Sequence, residues 1–206
     1  LHGPPSSGKS HLLNAACLEA RRSGLTAFYL ALGNLPPEAS ASLDGLEAMD
    51  LVCLDDLHGV AGNATWEEAL FHFINRLREA GRGRLLVASR ERLGALALGL
   101  PDLRSRLAWG LRLELQTLDE AGKREVMLRR AEALHIDLPE EVVDYLLRHG
   151  RRGMGELLFA LEQLRLGAIT EKRRITVPLA RRVLAADAVE TDSEGSRDEV
   201  PGGGAE

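Results

Sequence analysis

The sequence predicts an α/β fold, a parallel sheet covered by helices on both faces, followed by a separate all-α unit. Three observations predict it. Residues 3–10 read Gly-Pro-Pro-Ser-Ser-Gly-Lys-Ser, the spacing of a loop that joins a strand to a helix and wraps phosphates in backbone amides. Short apolar runs at 26–32, 51–54 and 84–89 lack the polar alternation of half-exposed strands and are separated by helical patterns. Beyond residue 117 no strand pattern survives, and amphipathic helices follow one another closely.

The glycines of the loop let the main chain curl without a Cβ in the way. The following helix is expected to open at about Lys9, run to Arg22 and end at Gly24. The strand feeding the loop is expected to lie before Leu1, so that the first strand is truncated and the chain begins inside a domain. Residues 26–32, with Phe28, Tyr29 and Leu30, read as a buried strand ended by a Gly-Asn-Leu-Pro-Pro loop, and residues 43–48 as a short helix. The run 51–54 leads straight into Asp55-Asp56, which puts two carboxylates at the C-terminal end of a strand, where active groups belong in open α/β sheets. Thr65 and Glu68 suggest a capping box. Trp66, Leu70, Phe73, Ile74 and Leu77 then recur at helical spacing as core residues until Gly81. A strand over 84–89 and a further short one over 111–115 complete the expected sheet.

In the second unit helices are expected over 120–133, with a capping box from Thr117 to Glu120, over 140–149 after Pro139, over 154–166, and in a last stretch opened by Pro178. The expected organisation is a core at 1–117, a helical unit at 118–186 and an acidic, Gly-rich tail at 187–206 too poor in apolar residues to order. That tail holds seven acids and one arginine, −6 of the formal −5, which leaves +1 for the rest. Basic pairs at Arg151-Arg152, Lys172-Arg173-Arg174 and Arg181-Arg182 admit at most weak nonspecific DNA contact. No apolar run approaches the roughly 20 residues a bilayer requires. Cys17 and Cys53 fall at core positions, which suits reduced thiols in the cytoplasm.

The chemistry concentrates at the loop and the Asp pair. Lys9 is placed to meet β- and γ-phosphates and Ser10 to offer its hydroxyl to Mg²⁺. Asp55 is assigned to the metal and Asp56 to an attacking water. Hydrolysis also calls for a cation to compensate charge on the transferring phosphate, and Leu103-Arg104-Ser105-Arg106-Leu107 supplies candidates.

The joint pattern Gly-Pro-x-x-Ser-Gly-Lys-Ser-His-Leu-Leu at 3–13, Leu-Asp-Asp-Leu-His at 54–58, Trp-Glu-Glu-Ala-Leu-Phe at 66–71 and Leu-Pro-Asp-Leu-Arg-Ser-Arg-Leu-Ala-Trp-Gly at 100–110 resembles the DnaA-related AAA+ proteins, over residues 1 to about 186. The resemblance implies a P-loop AAA+ core with a three-layer parallel sheet, followed by an all-α lid, binding ADP or ATP with Mg²⁺. It makes Gly3, Pro4, Ser6, Ser7, Gly8, Lys9, Ser10 and His11 the nucleotide contacts, with Ser89 the polar candidate at the end of the third strand. It is strongest to the regulatory-inactivator branch, whose members sit on the DNA-loaded sliding clamp, dock against ATP-bound DnaA and promote hydrolysis of DnaA's ATP, a negative regulation of replication initiation in the cytoplasm. Arg106 is then an arginine finger supplied in trans. Relatives carry a sensing arginine where this chain has Gly155, with Arg151 and Arg152 nearby, and an acid where it has Arg90, which implies weak intrinsic hydrolysis. The clamp-binding peptide of the family lies ahead of the phosphate loop, outside this sequence. Alternatives are a DnaA-like initiator fragment, which would carry a helix-turn-helix after the lid, a helicase-loader-type ATPase and a freestanding phosphotransferase; a homo-oligomer stays open.

Overall fold

The structure, a computed structural model, describes residues 1–185 other than 34, 152 and 172. The acidic tail, Arg152 and Lys172 therefore lie outside the described residues. The chain divides into two compact units whose boundary falls between Thr117 and Leu118.

In the first unit β1 (Ala27–Ala31), β2 (Leu51–Asp55) and β3 (Arg84–Val87) form a parallel sheet in the order β1-β2-β3, with Tyr29 opposite Cys53 and Cys53 opposite Leu86. All five residues of central β2 are buried, and the pleat sorts them. Leu51 and Cys53 pack with Leu13, Cys17 and Ala20 of α1 (Lys9–Arg22), whereas Val52 and Leu54 pack with Trp66, Leu70, Phe73 and Leu77 of α2 (Ala64–Ala80). Each fully buried leucine or phenylalanine side chain contributes on the order of 1.5–3 kcal/mol, so the two faces fix the strand from both sides. Both cysteines are free and buried. This is the α/β layering expected from the apolar runs.

Several local expectations are corrected. α2 is capped by Asn63, whose side-chain oxygen accepts from Trp66 N at 3.2 Å, so Thr65 lies inside the helix and makes no capping box. Its far end is Gly81 in the left-handed region at φ 70°. Residues 43–48 do not form one helix. Two 3₁₀ turns, Pro37–Leu43 and Leu46–Ala48, are separated by Gly45 at φ 81°. The strand expected at 111–115 reduces to an isolated bridge, because a strand needs a neighbour along its length and among the described residues only His2 supplies one. His2 bridges in parallel to Ser89 on one side and Glu114 on the other. Its amide donates to Leu113 O at 2.9 Å, Leu115 N donates to its carbonyl at 2.7 Å, and Ser89 N donates to Leu1 O at 3.0 Å. α3 (Pro101–Ala108) follows β3, and Pro101 sits where its missing N–H costs nothing.

The second unit contains α4 (Glu120–Ala133), α5 (Glu140–His149), α6 (Met154–Glu171) and α7 (177–185). α4 is capped by Asp119, which accepts from Gly122 N at 2.8 Å, in place of the expected box from Thr117. α6 runs past the expected end at Leu166 because Gly167 continues the helix, and the side chain of Leu179 packs within 3.4 Å of where a Cβ would stand. Met127, Val143, Leu146, Leu157, Leu164 and Leu179 make the core, and an Arg124–Asp144 ion pair joins α4 to α5. No helix among the described residues is long and apolar enough to cross a membrane.

Candidate nucleotide-binding site

The loop at 3–10 begins against the sheet edge and ends as the first turn of α1. A Cβ on Gly3 would lie 2.3 Å from the carbonyl oxygen of Leu115, so only glycine passes there. Ser6 at φ 60° and Gly8 at φ 92° both take the left-handed region, and Ser7 N donates to Pro4 O at 3.3 Å between them. The first backbone bond into the helix is Leu12 N to Gly8 O at 2.9 Å. Among the described residues the amides of Lys9, Ser10 and His11 therefore have no backbone acceptor, which leaves a set of N–H dipoles at the positive end of α1.

Lys9 is 7% exposed, and its ammonium donates to Gly3 O and Pro4 O, each at 2.7 Å, and to Ser7 Oγ at 3.4 Å. Burial lowers its pKa, the charges of Asp55 and Asp56 act the other way, and Arg90 lowers it further. A buried cation whose three acceptors are all neutral can exchange them for phosphate oxygens with a gain in charge pairing. The loop therefore fits a phosphate group on its own geometry.

Asp55, 1% exposed, closes β2. Its Oδ2 accepts from the Tyr29 hydroxyl at 2.9 Å and its Oδ1 from Asp56 N at 2.9 Å, so the carboxylate is aimed by the neighbouring strand. Burial, then the bond to Asp55, pushes the Tyr29 hydroxyl up to about 12. Asp56 leaves the strand in the left-handed region at φ 54° and packs on Gly33, where a Cβ would stand 3.4 Å from its carboxylate. Its Oδ1 lies 3.8 Å from His58 Nε2, and His58 Nδ1 accepts from Arg90 N at 3.4 Å. One carboxylate is thus buried and held, and its neighbour is partly exposed. Ser10 is exposed. Among the described residues no group of three or more His, Cys, Asp or Glu converges, so a Mg²⁺ ion would take the Ser10 and Asp55 oxygens and draw its other ligands from phosphate and water, as this cation does. A hydroxyl and a carboxylate are oxygen donors of the kind this cation takes.

Other expected residues fall as follows. Ser89 is buried, and its hydroxyl accepts from Glu91 N at 3.3 Å, which ties it to the turn after β3. Gly155 is the second residue of α6 with open space where a Cβ would be. Arg106, in the last turn of α3, makes no ion pair among the described residues; its guanidinium carbon lies 4.3 Å from the Trp109 ring centroid and 5.8 Å from that of Phe71.

Two residues that shape the site, Tyr29 and Glu67, escaped sequence reasoning, and Arg104, named among the candidate cations, is instead tied to backbone carbonyls. Tyr29 read as core, yet it aims Asp55. Glu67, 2% exposed, accepts from Gly62 N at 2.7 Å and Gly99 N at 3.0 Å through Oε1, and from Leu100 N at 2.6 Å through Oε2. Arg104 donates to the carbonyls of Leu93 and Leu96, each at 2.9 Å, and of Leu98 at 3.2 Å. Together the two charges hold the segment that delivers α3, and with it Arg106. The available signal for Glu67 was a charge beside Trp66 and three residues before Leu70, on the apolar face of its helix.

Comparison with known proteins follows the same division. Residues 119–184 match the family model described as the Hda lid domain. Among solved structures, domain III of the Thermotoga maritima replication initiation protein DnaA matches with a TM-score of 0.75 and 22% identity, over 90% of this chain and 82% of that one. AMPPCP-bound DnaA from Aquifex aeolicus matches at 0.68 and 22%, over 93% and 59%, and the Thermotoga maritima RuvB Holliday junction branch migration motor at 0.65 and 20%, over 90% and 60%. This chain thus spans about three fifths of the longer relatives. The fold is that of these AAA+ structures, an α/β core followed by a helical unit. Residues 119–184 are similar to the Hda lid domain, and the chain shares the fold of the DnaA structures.

Proposed function

We propose that this chain is a nucleotide-bound regulator that stimulates ATP hydrolysis by the initiator DnaA at the sliding clamp and so restrains replication initiation. The Hda-lid match over 119–184 carries the reading. The geometry of the core supports it. The amides of Lys9, Ser10 and His11 and the Lys9 ammonium hold the phosphates of ADP or ATP, with Gly3, Pro4, Ser6, Ser7 and Gly8 shaping the loop. Ser10 and Asp55 hold Mg²⁺, which when bound neutralises phosphate charge. Asp56 is the water-orienting carboxylate, and Ser89 stands at the end of the third strand.

Arg106 acts in the partner's site as the arginine finger. A guanidinium without a carboxylate partner keeps its charge for an anion outside its own chain. Gly155, which carries no sensing side chain, accords with weak intrinsic hydrolysis. The single-turnover rate of ATP loss from ATP-loaded DnaA, with clamp and DNA present, tests the reading. Arg106→Ala should remove stimulation, by a factor on the order of a thousand where the finger is fully engaged. Its nucleotide affinity, measured by titration, should stay within a few-fold of the unmodified chain. Undiminished stimulation by Arg106→Ala refutes the reading.

A further inference from the structure

We propose that Trp109 is a positioning residue for Arg106, a shelf that presents the guanidinium without neutralising it. The inference rests on the arginine-finger reading above. Trp109 caps α3, three residues after Arg106, so the two side chains share one face of the helix end. The guanidinium carbons of Arg106 and of Arg78, from α2, each lie 4.3 Å from the Trp109 ring centroid. Although it is one of the two largest apolar side chains in the protein, Trp109 is 56% exposed, while Trp66 is wholly buried. Burial does not account for its placement, and the two stacked cations do.

The choice of an aromatic partner has a chemical consequence. A carboxylate would hold Arg106 by occupying the N–H fork that a phosphate needs. An indole face holds the plane of the guanidinium through the ring quadrupole and leaves its five N–H donors free at the edge. Arg78 binds the same ring from a second helix, so the shelf is fixed by α2 as well as α3. The Glu67 contacts at Gly99 and Leu100 set the start of the helix that carries it. Arg106 is thereby ordered before it meets its target, and losing the shelf should lower the rate in the assembled complex without weakening assembly.

The test measures DnaA-bound ATP hydrolysis against the concentration of this chain. Trp109→Ala should lower the maximal rate about three- to thirtyfold, the range spanned by exposed to desolvated cation–π contacts, with the half-saturating concentration within about twofold. Trp109→Phe should restore most of the rate. Labelling with 5-fluorotryptophan gives a second readout, since the chain has two tryptophans. Arg106→Ala should move the Trp109 fluorine resonance and leave that of buried Trp66 in place, which also certifies the fold. An unmoved Trp109 resonance, a Trp109→Ala protein with an undiminished maximal rate, or a Trp109→Phe protein as slow as Trp109→Ala overturns the inference while the arginine-finger reading stands. A fully active Arg106→Ala protein, or no stimulation by the unmodified chain, overturns both.

Discussion

Glu67 shows how one buried charge can shape a distant helix. Its carboxylate satisfies three backbone amides, at Gly62, Gly99 and Leu100. Burial alone would raise its pKa, but those amides together with Arg104 outweigh burial and hold it below the ordinary value of 4.5. A group with a depressed native pKa contributes stability that is complete above its unfolded value and is lost as pH falls through the native one. Acid unfolding of this protein should therefore include a Glu67 component beginning near pH 4.5 and growing below it. Glu67→Gln keeps one acceptor oxygen but turns an NH₂ toward the Leu100 amide. The expected loss is about 2–3 kcal/mol at neutral pH, from hydrogen bonds to a charge that are no longer made. Urea denaturation across pH measures both effects, and the variant should show the shallower acid dependence.

At the scale of elements, what was legible in the sequence was whatever local pattern decides. The phosphate loop, the wholly buried strand β2 and the span of α5 follow from glycine spacing, an unbroken apolar run and helical periodicity, and all are found. What escaped depends on partners remote in sequence. Caps at Asn63 and Asp119 displaced the expected Thr65 and Thr117 because the nearer Asn and Asp side chains reach the first-turn amides. The stretch 111–115 has the composition of a strand but pairs only where His2 lies beside it. Tyr29 and Asp55 meet across strands, 26 residues apart, which no periodicity reveals. The stretch 103–107 reads only as a source of candidate arginines, and the helix α3 that carries Arg106 is not expected from it; the residues that hold it, Glu67 and Arg104, announce themselves only through contacts to backbone.

At the scale of the whole molecule, charge is unevenly distributed. Removing residues 187–206 deletes seven acids and one arginine and takes the formal charge from −5 to +1. The full chain should leave a short duplex DNA unshifted in a gel at physiological salt, whereas the shortened chain should retain it weakly, with an affinity that falls steeply as salt rises. Equal behaviour of the two would show that the basic pairs are solvated faces with no access to phosphate. The core carries a different asymmetry. The amide and carbonyl of His2 are both bonded to the 113–115 segment, through Leu113 O and Leu115 N, and Ser89 N is bonded to Leu1 O on the other side, while among the described residues the amides of Lys9, Ser10 and His11 have no backbone acceptor. In hydrogen-exchange terms the loop has a locked root and an open tip. The amides of His2, Ser89 and Leu115 should keep their deuterons or protons for as long as the core stays folded, and those of Lys9 to His11 should exchange early and slow on addition of ATP. Mass-spectrometric exchange resolved to these peptides separates a ligand that fills the tip from one that tightens the entire core, since the second would slow the root as well.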